Sequence, residues 1–127
     1  MDAFDGQPGV DTAYYATQFG LPKSDANNVR ALLDNLKGQT NRRAALVSTL
    51  VAVRHAADPE PLIAVGRAIG QITAEPIGDG GFGFDPVMFL PELGKTFAQV
   101  TPELKNAHSH RGKAAQEMLR QMRERWF

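Results

Sequence analysis

The sequence predicts a mixed α/β fold, with a central mixed sheet flanked by helices. Three observations predict it. Residues 44–55 are dense in Leu and Val and residues 62–72 in Ile, Val and Ala; Asp58-Pro59-Glu60-Pro61 lies between them, so the two runs read as strands joined by a turn. Residues 24–38 and 109–125 instead carry apolar side chains three and four positions apart, the period of helices that pack by one face. No linker, internal repeat or low-complexity tract divides the chain, which therefore reads as one domain, 1–127.

The elements follow in order. Gly6-Gln7-Pro8-Gly9 is a turn, and Pro8 suits the opening of a short helix near residues 10–18. Ser24 is placed to cap a second helix, with Asp25 in its favourable first turn, Val29, Leu32, Leu33 and Leu36 as its apolar stripe, and Gly38 as its stop. Residues 44–55 are expected as a buried strand and 62–72 as its hairpin partner, with Gly66 and Gly70 marking bends or bulges. A glycine-rich loop, 78–83, leads to a short apolar segment at 87–90. Thr101 caps a helix with Pro102 at its first position. The last helix starts near Ser109 and runs to Arg125, burying Ala114, Ala115, Met118, Leu119 and Met122.

Composition narrows the function. The 127 residues balance fourteen basic against fourteen acidic side chains, so no global charge points to nucleic acid or to a membrane surface. The absence of cysteine removes disulfides, thiolate zinc sites and a cysteine nucleophile, and suits a reducing, cytoplasmic setting. The longest apolar run, 44–53, is about half of a bilayer span. The acidic start Met1-Asp2-Ala3-Phe4-Asp5 has no secretion-signal character. Histidine pairs at metal-binding spacing, a GxSxG elbow and a Walker motif do not occur, so no catalytic or metal residues are assigned from these patterns.

Two stretches carry chemistry. Gly80-Gly81-Phe82-Gly83-Phe84-Asp85-Pro86 combines glycines that let backbone come close, aromatic faces that can stack on a base, and a carboxylate that accepts hydrogen bonds. Ser109-His110-Arg111-Gly112 sets an imidazole beside a guanidinium at a helix start. Taken singly, Phe82 and Phe84 read as core aromatics, Asp85 as a turn residue, and His110, Arg111 and Lys105 as solvated helix residues.

The order and spacing of these stretches, with Pro91-Glu92-Leu93-Gly94-Lys95-Thr96 between them, resemble the C-terminal half of the inosine/xanthosine triphosphate pyrophosphatases, which remove deaminated purine triphosphates. Residues 2–10 resemble that family's VDALxGxPGV segment, and Gly66, Gly70 and Ile72 fall at its strand glycines. The resemblance covers nearly the whole chain. It implies the C-terminal portion of an inosine triphosphate pyrophosphatase-like fold, and hydrolysis of ITP, dITP or XTP to monophosphate and pyrophosphate. It implies substrate binding by Phe82, Gly83, Phe84, Asp85, Lys105, His110 and Arg111, with His110 and Arg111 recognising the 6-keto oxygen. Adenine presents an amino donor at that position, and donor facing donor leaves buried groups unpaired. The resemblance also implies magnesium and a homodimer or higher assembly, with no nucleic-acid or membrane partner.

The chain departs from the pattern. Phe84 stands where relatives often have tyrosine or tryptophan, and Asp11 and Tyr14 replace residues that are usually tyrosine and arginine. The phosphate loop [ST]-x-x-N-x-x-K, the metal-binding glutamate and the DDSG aspartate that acts on water do not occur, so ligands for magnesium are expected to be absent. The expectation is thus an N-terminally truncated member with little turnover. The alternative is a catalytically inactive module that binds purine nucleotides or self-assembles. Without N-terminal strands, 44–53 and 87–90 are expected to lose part of their cover, favouring self-association.

Overall fold

The structure is a computed structural model that describes residues 1–126; the side chains of Val10 and Asp11 lie outside the described residues, so the Asp11 departure has no structural account. The chain forms two compact units: Met1–Ala45 with Ile69–Val100, and Leu46–Ala68 with the segment from Thr101 onward. Four strands, β1 (Arg43–Ala52), β2 (Leu62–Ile72), β3 (Met88–Leu90) and β4 (Lys95–Thr96), form one sheet in the order β1-β2-β3-β4. Gln71 faces Phe89 and Ile72 faces Met88; Phe89 faces Thr96 and Leu90 faces Lys95, both ladders antiparallel. The sheet expected as mixed is antiparallel in these ladders. Neighbouring strands joined without a crossover must reverse direction.

In the first unit, a 3-10 helix at Gly9–Phe19 packs against α1 (Asp25–Asn35). Ser24 caps α1 as expected, its hydroxyl accepting from Asn27 N at 3.0 Å. Val29, Leu32 and Leu36 are buried, along with Tyr15 and Ala16 from the 3-10 helix. Asn28 is buried too, and its amide locks the pair: Oδ1 accepts from Ala16 N at 2.8 Å and Nδ2 donates to Ala13 O at 3.0 Å. Arg42 ties the end of α1 to the end of β2, donating to Leu36 O, Ile72 O and Thr73 O at 3.1, 2.8 and 2.7 Å. Val87, Met88, Leu90, Thr96 and Phe97 are fully buried. The expectation that 87–90 is uncovered therefore fails, because β3 is an inner strand flanked by β2 and β4.

In the second unit, α2 (Pro102–His108) and α3 (His110–Arg125) follow each other with only Ser109 between them. Thr101 caps α2, accepting from Leu104 N at 3.3 Å. Leu62, Ala64 and Met118 form a small core, joined by Ala52, Met122 and Trp126. Of the stripe expected on α3, Ala114 and Met118 are buried, while Ala115 and Leu119 are exposed. Steps of four residues stay on one helix face, and positions 115 and 119 stand about 100° away from it.

Two further expectations change. β1 is not a buried strand: Val47 and Val51 on one face are exposed, and on the opposite face Ala44 is buried while Leu50, nearer the turn, is exposed. Gly66 and Gly70 are not bulges but close approaches. A side chain at Gly66 would strike the His110 carbonyl and the Ala114 amide of α3, and one at Gly70 would strike the Phe89 carbonyl of β3. The pair β4 and the 3-10 turn Phe97–Gln99 had no sequence expectation. There Thr96 and Gln99 form a reciprocal capping box, and Thr96 Oγ1 also donates to Ile77 O at 2.7 Å.

Candidate functional site

The aromatic loop belongs to the first unit and occupies the connection between β2 and β3. Its base is pinned by backbone bonds: Ile77 N to Pro86 O at 2.8 Å and Gly80 N to Ala98 O at 3.1 Å. Side chains at Gly78 or Gly80 would press on the Ala98 carbonyl, so glycine is what allows the loop to lie so close to the Phe97–Gln99 turn. Asp85 is 5% exposed, and its Oδ2 accepts from Phe82 N at 3.0 Å, closing a tight turn over Gly83 and Phe84. Gly81 carries φ 71° and stands so near that carboxylate that any side chain would collide with it. Phe82 is left 53% exposed at the loop tip, and Phe84 is half-buried. The next amide, Gly83 N, donates to Asp25 Oδ2 at 2.8 Å.

The histidine–arginine stretch belongs to the second unit. Ser109 is extended, with φ −72° and ψ 158°, and breaks the chain between α2 and α3. Its hydroxyl caps α3, accepting from Gly112 N at 2.9 Å, while its own amide donates to Lys105 O at 2.7 Å. A side chain at Gly112 would overlap the Asn106 carbonyl of α2, which explains the glycine that closes the stretch. The turn fixes His110 half-buried and Arg111 exposed at the start of α3, with Lys105 half-buried on α2. Each unit thus presents its own group: Phe82, Gly83, Phe84 and Asp85 in one, and Lys105, His110 and Arg111 in the other.

Among the described residues, no three His, Asp or Glu side chains come together in a way that could hold a metal ion. No chemical step is derived through the magnesium that the resemblance implies. Asp25 is the site-related residue that sequence reading missed. Its position in the first turn of a helix accounts for it locally, and its bond to Gly83 spans 58 residues.

A glycine–aromatic loop between β2 and β3 and a Ser-His-Arg-Gly helix start, on this mixed α/β framework, place the chain in the inosine triphosphate pyrophosphatase-like class of folds. The chain belongs to the Ham1 family, whose model matches residues 1–121. It is 72% identical over its whole length to a dITP/XTP pyrophosphatase of Paracidovorax citrulli and 68% identical to one of an Acidovorax species. It covers 64% and 62% of those proteins, so it spans a little under two thirds of the curated relatives it matches. Among solved structures, a HAM1 protein from Coxiella burnetii superposes with a TM-score of 0.88 at 34% identity, over 97% of this chain and 62% of that one. The Ham1 protein of Staphylococcus aureus superposes with a TM-score of 0.86, also at 34% identity, over 96% of this chain and 61% of that one.

Proposed function

We propose that the chain is the base-recognising part of a nucleoside triphosphate pyrophosphatase acting on ITP, dITP or XTP, releasing the monophosphate and pyrophosphate. The observation that carries this reading is the 72% identity, over the whole of this chain and 64% of the relative, with a protein named dITP/XTP pyrophosphatase. The loop geometry supports it. Asp85 holds the turn from inside, leaving the exposed Phe82 ring as a stacking face, a contact worth about 1–3 kcal/mol per base. In this reading His110 and Arg111 donate to the 6-keto oxygen of hypoxanthine or xanthine, and Lys105 holds substrate. The test is a titration with inosine and adenosine monophosphates. Inosine is expected to bind more tightly, and Arg111→Ala to erase the preference; equal binding of both bases would retire the reading. Pyrophosphate release from ITP with magnesium measures whether these 127 residues suffice for turnover, and is expected to fall many powers of ten below the roughly 1–1000 per second of ordinary enzymes.

A second reading, a self-assembling module, is favoured by the apolar side chains that β1, β2 and their turn leave exposed: Val47, Val51, Val53, Ile63 and Val65. It rests on the affinity of such a surface for a copy of itself.

A further inference from the structure

The aromatic loop is held by two carboxylates on two consecutive amides. Asp85 accepts from Phe82 N at 3.0 Å, and Asp25 accepts from Gly83 N at 2.8 Å. The two clasps differ in kind. Asp85 is three residues away and closes the turn on itself, so it fixes the loop's shape. Asp25 is 58 residues away on α1, so it fixes where the loop tip stands.

The geometry suits that task. α1 is anchored by its buried Val29, Leu32 and Leu36 and by the Asn28 amide, while Ser24 and Asn27 fasten its first turn, Asn27 Nδ2 donating to Pro22 O at 2.9 Å. A carboxylate in that first turn is also favoured by the helix dipole. Gly83 carries φ 59°, and a Cβ there would meet no neighbouring atom, so at this residue the contact with α1 is made by the amide rather than by a side chain. The base of the loop is pinned elsewhere, through Ile77, Gly80 and Thr96. The Asp25 bond therefore acts on one place, the peptide between the two phenylalanine rings.

We propose that Asp25 is a positioning residue for base recognition: through Gly83 N it holds the Phe82–Phe84 tip in its binding geometry, so that a base meets a ring already in place. This rests on the base-recognition reading above. Without the bond, the tip must be ordered when the base arrives, a cost that corresponds to about a 2- to 10-fold loss of affinity.

The experiment uses the full chain with Asp25→Ala and Asp25→Asn. The asparagine keeps an oxygen acceptor but loses the charge that strengthens the bond. The expected result is a moved and faster-exchanging Gly83 amide in Asp25→Ala, with inosine monophosphate binding reduced 2- to 10-fold and the melting temperature lowered by only about a few degrees. Asp25→Asn is expected to recover part of both signals. An unmoved Gly83 amide in Asp25→Ala would overturn the proposal, as would retained affinity. Failure of the base reading looks different: the unsubstituted chain would bind inosine and adenosine monophosphates equally, while a Gly83 amide that still answers to Asp25 would support the clasp.

Discussion

Gly112 shows how much a single missing side chain decides. The carbonyl of Asn106 occupies the space a Cβ would need, and Ser109 Oγ takes the Gly112 amide. Gly112→Ala is expected to destabilise the chain by about 1–3 kcal/mol through overpacking, read as a shift of the urea midpoint. The same substitution is expected to disturb the turn that presents His110 and Arg111, whereas Arg111→Ala, at an exposed position, is expected to leave the midpoint nearly unchanged. Glu117 gives a pH signature. The Arg120 guanidinium, and secondarily the Gln121 amide, hold its carboxyl well below the ordinary 4.5, at about 2. A carboxyl lowered in the folded state contributes stability above the unfolded value, and that contribution fades as pH falls from about 4.5 toward 2. Glu117→Gln is therefore expected to lower the melting temperature slightly at pH 7, where the charged pair is intact, and to flatten its decline over that window. An equally steep decline in the variant would show that the pair is idle.

At the scale of elements, two polar devices hold segments that hydrophobic contact alone would leave loose. Asn28 joins α1 to the preceding 3-10 helix through Ala16 N and Ala13 O. Asn28→Ala would leave the buried Ala16 amide without this partner, whereas the Ala13 carbonyl is at an exposed residue, so a loss of about 1–3 kcal/mol is expected in denaturant unfolding. A fall smaller than a few tenths of a kcal/mol would mean that water replaces the amide. The turn after β1 is organised by Asp58, whose carboxylate accepts from the amides of Arg54 and Glu60 and from the Arg54 guanidinium. Those bonds hold its carboxyl far below the usual carboxylate range. Asp58→Ala is expected to speed amide exchange at the turn-proximal ends of β1 and β2 and to leave β3 unaffected. The caps Ser24 and Thr101 were legible because each bonds an amide three residues ahead, a relation written into the sequence itself; Ser109, read only as the start of α3, makes the same bond. β4 was not legible: two residues carry no periodicity, and the strand exists through its pairing with β3.

For the whole molecule, the open question is what covers the apolar residues left outside. Val51 is 63% exposed, and Val47, Val53, Ile63 and Val65 are each about half exposed. Fully burying a side chain of this kind is worth about 1.5–3 kcal/mol, and covering the exposed half about half as much, still large for the set against the roughly 5–15 kcal/mol of a typical domain. Self-association is therefore expected at micromolar concentration, and Val51→Lys is expected to shift it toward the monomer, measured by light scattering on a sizing column. A monomer that melts cooperatively, with or without the lysine, would show that this surface tolerates water. No described helix is long and apolar enough to cross a membrane.

By itself the sequence determined the caps of α1 and α2, the bounds of β2 at Leu62–Ile72, and the family, since these rest on neighbours a few residues apart or on fixed spacings between motifs. Tertiary structure alone decided that β1 shows an apolar face to solvent, that 87–90 is core, that Gly66 and Gly70 are points of close approach, and that Asp25 reaches the aromatic loop. The physical reason is the same in each case. A cap or a turn is satisfied within its own segment, whereas burial, close approach and a hydrogen bond across 58 residues exist only once distant segments have packed.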